Sequence, residues 1–196
     1  MTLRNARRHL IAERRELLAL CHGLGPAEWE AASLCAGWRV RDVVAHIIGG
    51  ERDWSNFVEA HGNLEAANAL SVERRATIPV QQLLVELEEI APVRGVARLF
   101  AGLLLVDNWT HQEDIRRPIG RPREQHPDRL RWILRWARVT PYSRGRALRL
   151  VATDLDYALG HGPEVRGPAA DLIMAVSGRS SAARHLEGPG VERLRE

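Results

Sequence analysis

Apolar residues recur at helical spacing through the first two-thirds of the chain and change to strand-like alternation near its end. Over 3–22, Leu3, Ala6, Leu10, Leu17 and Cys21 fall on one stripe with charged residues around it, which predicts an amphipathic helix. Gly23, Gly25 and Pro26 end it, and AEWEAASLCAGW reads as a turn-rich bridge. A second helix is expected over 40–60, with Val40, Val43, Val44, Ile47, Trp54 and Val58 as its stripe and His46 on the flank of that face. The tract HGNLEAANALSVERRAT has weak periodicity and is expected to be a loop with room for a short helical turn. Pro79 suits a helix first turn, and Val80, Leu83, Leu84, Leu87, Ile90 and Ala91 predict a third helix. Pro92 and Gly95 separate it from a fourth, over 96–114, which ends before Pro118.

A fifth helix is expected over 127–139, presenting Leu130, Ile133, Leu134 and Ala137. Beyond Thr140 the texture changes. Leu148 and Leu150 alternate with Arg149 and Val151, which favours a strand, and GHGP at 160–163 is a turn before a short EVRG segment, so a small hairpin is expected. A short helix over 168–176 closes at Gly178, and the tail SSAARHLEGPGVERLRE reads as peripheral. The fold class that follows is mainly α: a four-helix bundle over 1–140 and a small α+β module over 141–196.

Composition narrows the function classes. A chain of 196 residues with 45% hydrophobic content suffices for one ordinary core and a small second module. Two cysteines, Cys21 and Cys35, are too few for a disulfide framework, and MTLRNARRHL lacks an apolar signal core, so a reducing cytoplasm is the expected compartment. Apolar runs fall well short of the ~20 residues that span a bilayer, and no membrane partner is expected. The net charge is only +3, and every basic residue is arginine. The densest positive cluster, Arg116, Arg117, Arg121 and Arg123, has no interleaved aromatics, so no nucleic-acid partner is expected either.

The candidate chemistry lies in the helices. Asp107 and His111 are four residues apart and so leave one helix face about a turn from each other. The apolar positions Val96, Phe100, Leu103 and Leu104 extend through that face, which places a carboxylate and an imidazole where hydrocarbon core is expected. Buried there, they must meet each other, another polar group or a cation. With His46 from another helix they make three protein ligands and leave a coordination position open, the pattern of catalytic zinc, while a plain Asp–His hydrogen bond is the alternative. Asp42, one turn before His46, and Asp114, three residues after His111, are candidates to accept the second imidazole N–H and fix its tautomer. Cys35 reads as a small packed residue, and His22, His61, His126, His161 and His185 as surface residues. No nucleotide-binding, nucleophile-elbow or CxxC motif is present.

AEWEAASLCAGWRVRDVVAHIIGGERDW, DNWTHQEDIRRPIGRPR and LRLVATDLDYALGHGPEVRGPAADLIMAVSGR together resemble the mycothiol-dependent maleylpyruvate isomerase family, within the wider DinB-like metalloproteins. The resemblance runs over nearly the whole chain. It implies a DinB-like four-helix bundle whose divalent metal, usually zinc, is held at His46, Asp107 and His111, with aspartate where the isomerase carries glutamate. It also implies a thiol cofactor, mycothiol or a similar small thiol, and an electrophilic or unsaturated-acid substrate. The expected activity is therefore thiol-dependent isomerisation or S-transfer, with Arg116 and Arg117 as candidates to hold a substrate carboxylate by bidentate hydrogen bonds. Metal-activated hydrolysis and a non-enzymatic binding or regulatory protein with a structural metal are the alternatives.

Overall fold

A computed structural model describes residues 3–195, with the side chains of Leu3 and Trp54 outside the described set. The chain divides into two compact units, Met1–Pro122 and Arg123–Glu196. In the first, α1 (Leu3–His22) is followed by a one-turn α2 (Pro26–Trp29), then α3 (Val40–Arg52), α4 (Trp54–Glu59), α5 (Leu64–Glu73), α6 (Val80–Ile90) and α7 (Ala101–Arg116). The longer helices α1, α3, α6 and α7 form the bundle. Helix α1 lies along α7 and touches α6, and α3 packs on α6 and α7. Leu17, Cys21, Val40, Val43, Val44, Ile47, Leu83, Leu87 and Ile115 are buried in the core between them, as the helical stripes of α1, α3 and α6 dictate.

The interior of α1 is not purely apolar. Glu13 and Arg14 lie on the buried stripe between Leu10 and Leu17. Arg14 pairs with Glu51 of α3 at 2.6 Å, donates to Asn108 Oδ1 of α7 at 3.1 Å and reaches the carbonyl of Ile90 at the end of α6. Glu13 accepts from Gln112 Nε2 at 2.7 Å.

Several sequence expectations are corrected. The helix expected over 40–60 breaks at Asp53, whose backbone leaves helical geometry (φ −106°, ψ 47°) while its carboxylate pairs with Arg75. Val58 is exposed rather than buried. The expected loop after it contains α5, a ten-residue helix capped by Asn63. Its periodicity is faint because the residues it buries, Ala67 and Ser71, are small. The fourth helix begins at Ala101, after a 3₁₀ turn at Gly95–Arg98. Val96 and Phe100 are exposed, and Leu103 and Leu104 only half-buried, so the phase assigned to that helix is displaced. Ala101, Leu105, Trp109 and Ile115 face the core instead. The 103–107–111 line therefore runs along a partly open edge.

The second unit contains α8 (Pro127–Ala137), β1 (Arg149–Ala152), β2 (Tyr157–Gly160), β3 (Glu164–Gly167), α9 (Ala169–Val176), a 3₁₀ turn at Ser180–His185 and α10 (Glu192–Arg195). The sheet order is β2-β1-β3. Strand β1 pairs antiparallel with β2, Leu150 opposite Leu159, and parallel with β3, Leu150 opposite Val165. A hairpin does form, but between β1 and β2; the EVRG segment expected to belong to it is β3, which the GHGP turn carries to the opposite edge of β1, where it pairs parallel. Gly160 turns with φ +87°, and a Cβ there would lie 2.2 Å from the Leu148 carbonyl oxygen. Helix α8 packs on α9. The tail, expected to be peripheral, buries Ala182, Ala183, Leu186, Val191 and Leu194, and Glu187 bridges to Arg166 beside β3. Among the described residues no helix is long and apolar enough to cross a membrane.

Helix α5 approaches α3 closely at Gly49, where a Cβ would sit 2.3 Å from Ser71 Cβ. Gly50, one residue on, has nothing within 4 Å of the same position. Gly49→Ala is therefore expected to destabilise the protein by about 1–3 kcal/mol through overpacking. Gly50→Ala, freed of glycine's backbone entropy in a helix, should be neutral or stabilising by up to about 1 kcal/mol. Urea unfolding of the two variants distinguishes these outcomes, and equal effects would contradict the close α3–α5 approach.

Candidate metal centre

Helix α3 carries His46 and α7 carries Asp107 and His111, and the two helices pack directly together. Each side chain offers one ligand atom, and the three atoms lie within 4.8 Å of one another. Asp107 Oδ1 is 3.6 Å from His46 Nε2 and 3.5 Å from His111 Nε2. These separations are longer than good hydrogen bonds. Metal bonds of about 2.0–2.2 Å place neighbouring tetrahedral ligands about 3.3–3.6 Å apart, so the spacing fits three groups directed at a shared cation. Two imidazoles and a carboxylate are also a donor set that zinc accepts.

Exposure is graded across the cluster. The His46 and His111 side chains keep 7% and 11% of their accessible surface, whereas Asp107 keeps 29%. Asp107 does not point into hydrocarbon core; it lies on the open edge of α7, as the corrected phase of that helix requires. The imidazole rings meet edge to face, their centroids 4.6 Å apart.

Surrounding groups hold the imidazoles. Asp114, fully buried, has Oδ2 3.0 Å from His111 Nδ1, which places the Nδ1 proton toward the carboxylate and leaves Nε2 directed at Asp107. Cys35 Sγ lies 3.2 Å from the same carboxylate oxygen and 3.5 Å from His111 Nδ1. Trp38 packs on His46 with ring centroids 5.2 Å apart. Sequence reasoning passed over Cys35 because its partners are 76 and 79 residues away. No local signal marks that contact.

Other candidates lie elsewhere. Asp42, proposed from sequence to orient His46, spends both oxygens on Arg39: Oδ2 accepts from the Arg39 backbone N–H and Nε, and Oδ1 from Nη2. It caps the first turn of α3, the task left open by the absence of a short polar side chain at position 39. Arg116 donates to Gln112 Oε1 and to the carbonyls of Arg121 and Glu16, and Arg117 donates to Glu113. These bonds tie both guanidinium groups to neighbouring protein groups.

Residues 10–116 match the model of the family described as the mycothiol maleylpyruvate isomerase N-terminal domain. Among solved structures, the chain is similar to a crystal structure of the mycothiol-dependent maleylpyruvate isomerase, with a TM-score of 0.64 and 16% identity over 96% of this chain and 93% of that one. A mutant of that enzyme gives a TM-score of 0.63 at the same identity and coverage. No curated protein matches the chain. At this identity the structural likeness establishes the fold, a DinB-like bundle followed by a small α+β module. The family match spans all three converging residues.

In the metal-free protein the cluster is a charged pair. Burial opposes an imidazolium at His111, but the Asp107 carboxylate, together with hydrogen bonding to Asp114, outweighs it and raises His111 well above its ordinary value. Burial likewise opposes ionisation of Asp107, and the charges of His111 and His46 outweigh it and hold the carboxyl well below its usual range. The raised histidine stabilises the fold fully below the unfolded value of about 6.5, and this contribution is lost as pH rises through the folded value. The depressed aspartate contributes above about 3.9 and loses its contribution as pH falls through its folded value. In metal-free protein followed by NMR, the His111 ring should therefore titrate above an ordinary histidine, and Asp107→Asn should lower that value, because burial then opposes the charge with only the bonding to Asp114 and Cys35 against it. Ordinary titration in both proteins would refute the pairing.

Proposed function

The chain belongs to the family of the mycothiol maleylpyruvate isomerase N-terminal domain, and from that premise we propose that it is a metal-dependent enzyme that uses a small thiol to isomerise an unsaturated acid or transfers that thiol to an electrophile. The observation that carries this reading is the convergence of His46 Nε2, Asp107 Oδ1 and His111 Nε2 at spacings suited to a shared cation. Those three residues would hold the ion, with zinc the best match to two nitrogens and one oxygen. The chemistry such an ion would supply, if bound, is a thiolate kept deprotonated at neutral pH, the nucleophile that thiol-dependent isomerisation or S-transfer requires.

The chain's own residues prepare that chemistry. Asp114 accepts from His111 Nδ1 and so commits Nε2 to the centre. Trp38 packs beside His46, its ring tilted 43° to the imidazole. Asp107 contributes negative charge at the more exposed side of the cluster, so a small ligand reaches the centre past the carboxylate rather than through the imidazoles. Cys35 is turned toward Asp114, which leaves the nucleophile to be supplied by a separate thiol.

Protein purified without chelator and without a histidine-rich tag is expected to carry about one divalent ion per chain by elemental analysis. His111→Ala should remove most of it with helix content unchanged, because the bundle is held mainly by its apolar stripes, whereas His161→Ala should leave it in place. Cysteine, used as a simple thiol probe, should bind the metal-loaded protein and not the metal-free protein. Absence of metal after reconstitution, or thiol binding indifferent to metal, would overturn the reading.

A further inference from the structure

Between α2 and α3 the chain makes a small, heavily bonded loop over 31–39. An antiparallel bridge joins Ala32 to Arg39, and the Val40 N–H donates to the Ala31 carbonyl at 2.9 Å. Inside that closure the Ser33 N–H and hydroxyl both donate to the Trp38 carbonyl, at 3.0 and 2.8 Å, and the Trp38 N–H donates back to the Cys35 carbonyl at 3.0 Å. The Cys35 N–H in turn donates to Ser33 Oγ at 3.1 Å. The loop is docked on the last turn of α7 by the Leu34 N–H, which donates to the Asp114 carbonyl at 3.0 Å. The same Asp114 receives Cys35 on its side chain. Backbone and carboxylate of one buried aspartate are thus gripped by consecutive residues of one loop.

Two side chains of this loop each meet a different imidazole. Cys35 reaches the Asp114–His111 Nδ1 pair, and Trp38 lies against the His46 ring. Cys35 is a hydrogen-bond donor to Asp114 Oδ2, the oxygen that also receives His111 Nδ1, so the thiol fixes where that oxygen sits. We infer that the 31–39 loop is a positioning clamp for the metal centre, in which the Cys35 thiol holds the Asp114 carboxylate in register with His111 while Trp38 sets the plane of His46. The inference rests on the metal reading of the preceding subsection. Cys35 acts through Asp114 and is a positioning residue; it is not a ligand in this arrangement. Groups in that layer typically govern metal affinity by about 10–100-fold.

The test uses the full chain loaded with cobalt(II) as a spectroscopic substitute, with affinity read by competition against a chromophoric chelator and geometry read from the visible d–d bands. Cys35→Ala, which removes the donor, is expected to weaken cobalt binding by about tenfold or more and to shift the bands. Cys35→Ser keeps a donor on the same bond and should recover most of the affinity and the unaltered spectrum. Leu34→Ala is the control for general damage to the loop, since Leu34 is partly exposed and its recorded bond to Asp114 is made by its backbone; it should bind as the parent does. Thermal melts of each variant establish that the bundle is intact. If Cys35→Ala is too unstable to measure, the Ser variant compared with Trp38→Phe carries the test. Wild-type binding with an unchanged affinity and spectrum in Cys35→Ala overturns the clamp alone, as does an equal loss in Leu34→Ala. A parent chain that binds no cobalt overturns the clamp and the metal reading together.

Discussion

A guanidinium cannot be left in a protein interior without partners, and Arg14 imposes that constraint on the whole bundle. From α1 it touches Glu51 on α3, the last carbonyl of α6 and Asn108 on α7. Satisfying one buried cation therefore requires all four long helices to meet at one level. The desolvation of Arg14 is large enough to lower its proton affinity despite Glu51 beside it. Such an ion pair adds little net stability over an apolar replacement, but removing one partner strands the other and costs about 3–5 kcal/mol. Its value lies in specifying how the helices are aligned, because register errors that apolar stripes tolerate would leave Arg14 unpaired.

That alignment places the candidate centre. Asn108, which accepts from Arg14, is the neighbour of Asp107 in sequence, so fixing the rotation of α7 about Arg14 also fixes the direction in which Asp107 and His111 leave the helix. Glu51 lies five residues after His46 on α3 and does the same for the facing helix. Gln112, held by Glu13, adds a second interior tie immediately after His111. The bundle interior is thus partly polar for a structural reason as well as a chemical one. An amide, Asn108 or Gln112, directly follows each candidate ligand along α7 and ties the helix to α1 at that point.

How much of this was legible in the chain differs by element. Helices α1 and α6 announce themselves because one face is apolar and the other is wet. Helix α7 does not, since its last two turns are buried on nearly every side and contain Asn108, Thr110, Gln112, Glu113 and Asp114 among the buried residues. With no wet face there is no unique stripe, and a phase drawn through Val96 and Phe100 follows residues that belong to the preceding turn and to solvent. Helix α5 hides for the opposite reason: it buries an alanine and a serine, the serine against Gly49, and small residues leave no hydrophobic signature. In the second unit, the pairing of β1 with both β2 and β3 depends on where the turns send the chain, which alternation alone does not encode.

The candidate ligands were readable to the extent that their geometry is local. Asp107 and His111 are set by the four-residue spacing of one helix, and Asp114 by the next three residues. His46 lies on a different helix; its place on the flank of an apolar stripe offered it as a third ligand, and the resemblance of its segment to a metal-binding family supported joining it to the pair. Cys35 and Trp38 had no such help. Their contacts depend on a loop closing through main-chain bonds and docking on an α7 carbonyl, which is a property of the folded bundle. The candidate ligands on α7 are thus written into helical spacing, whereas the groups proposed to aim them are written into tertiary structure. A sequence comparison confined to the three candidate ligand positions would miss the loop that contacts Asp114 and His46.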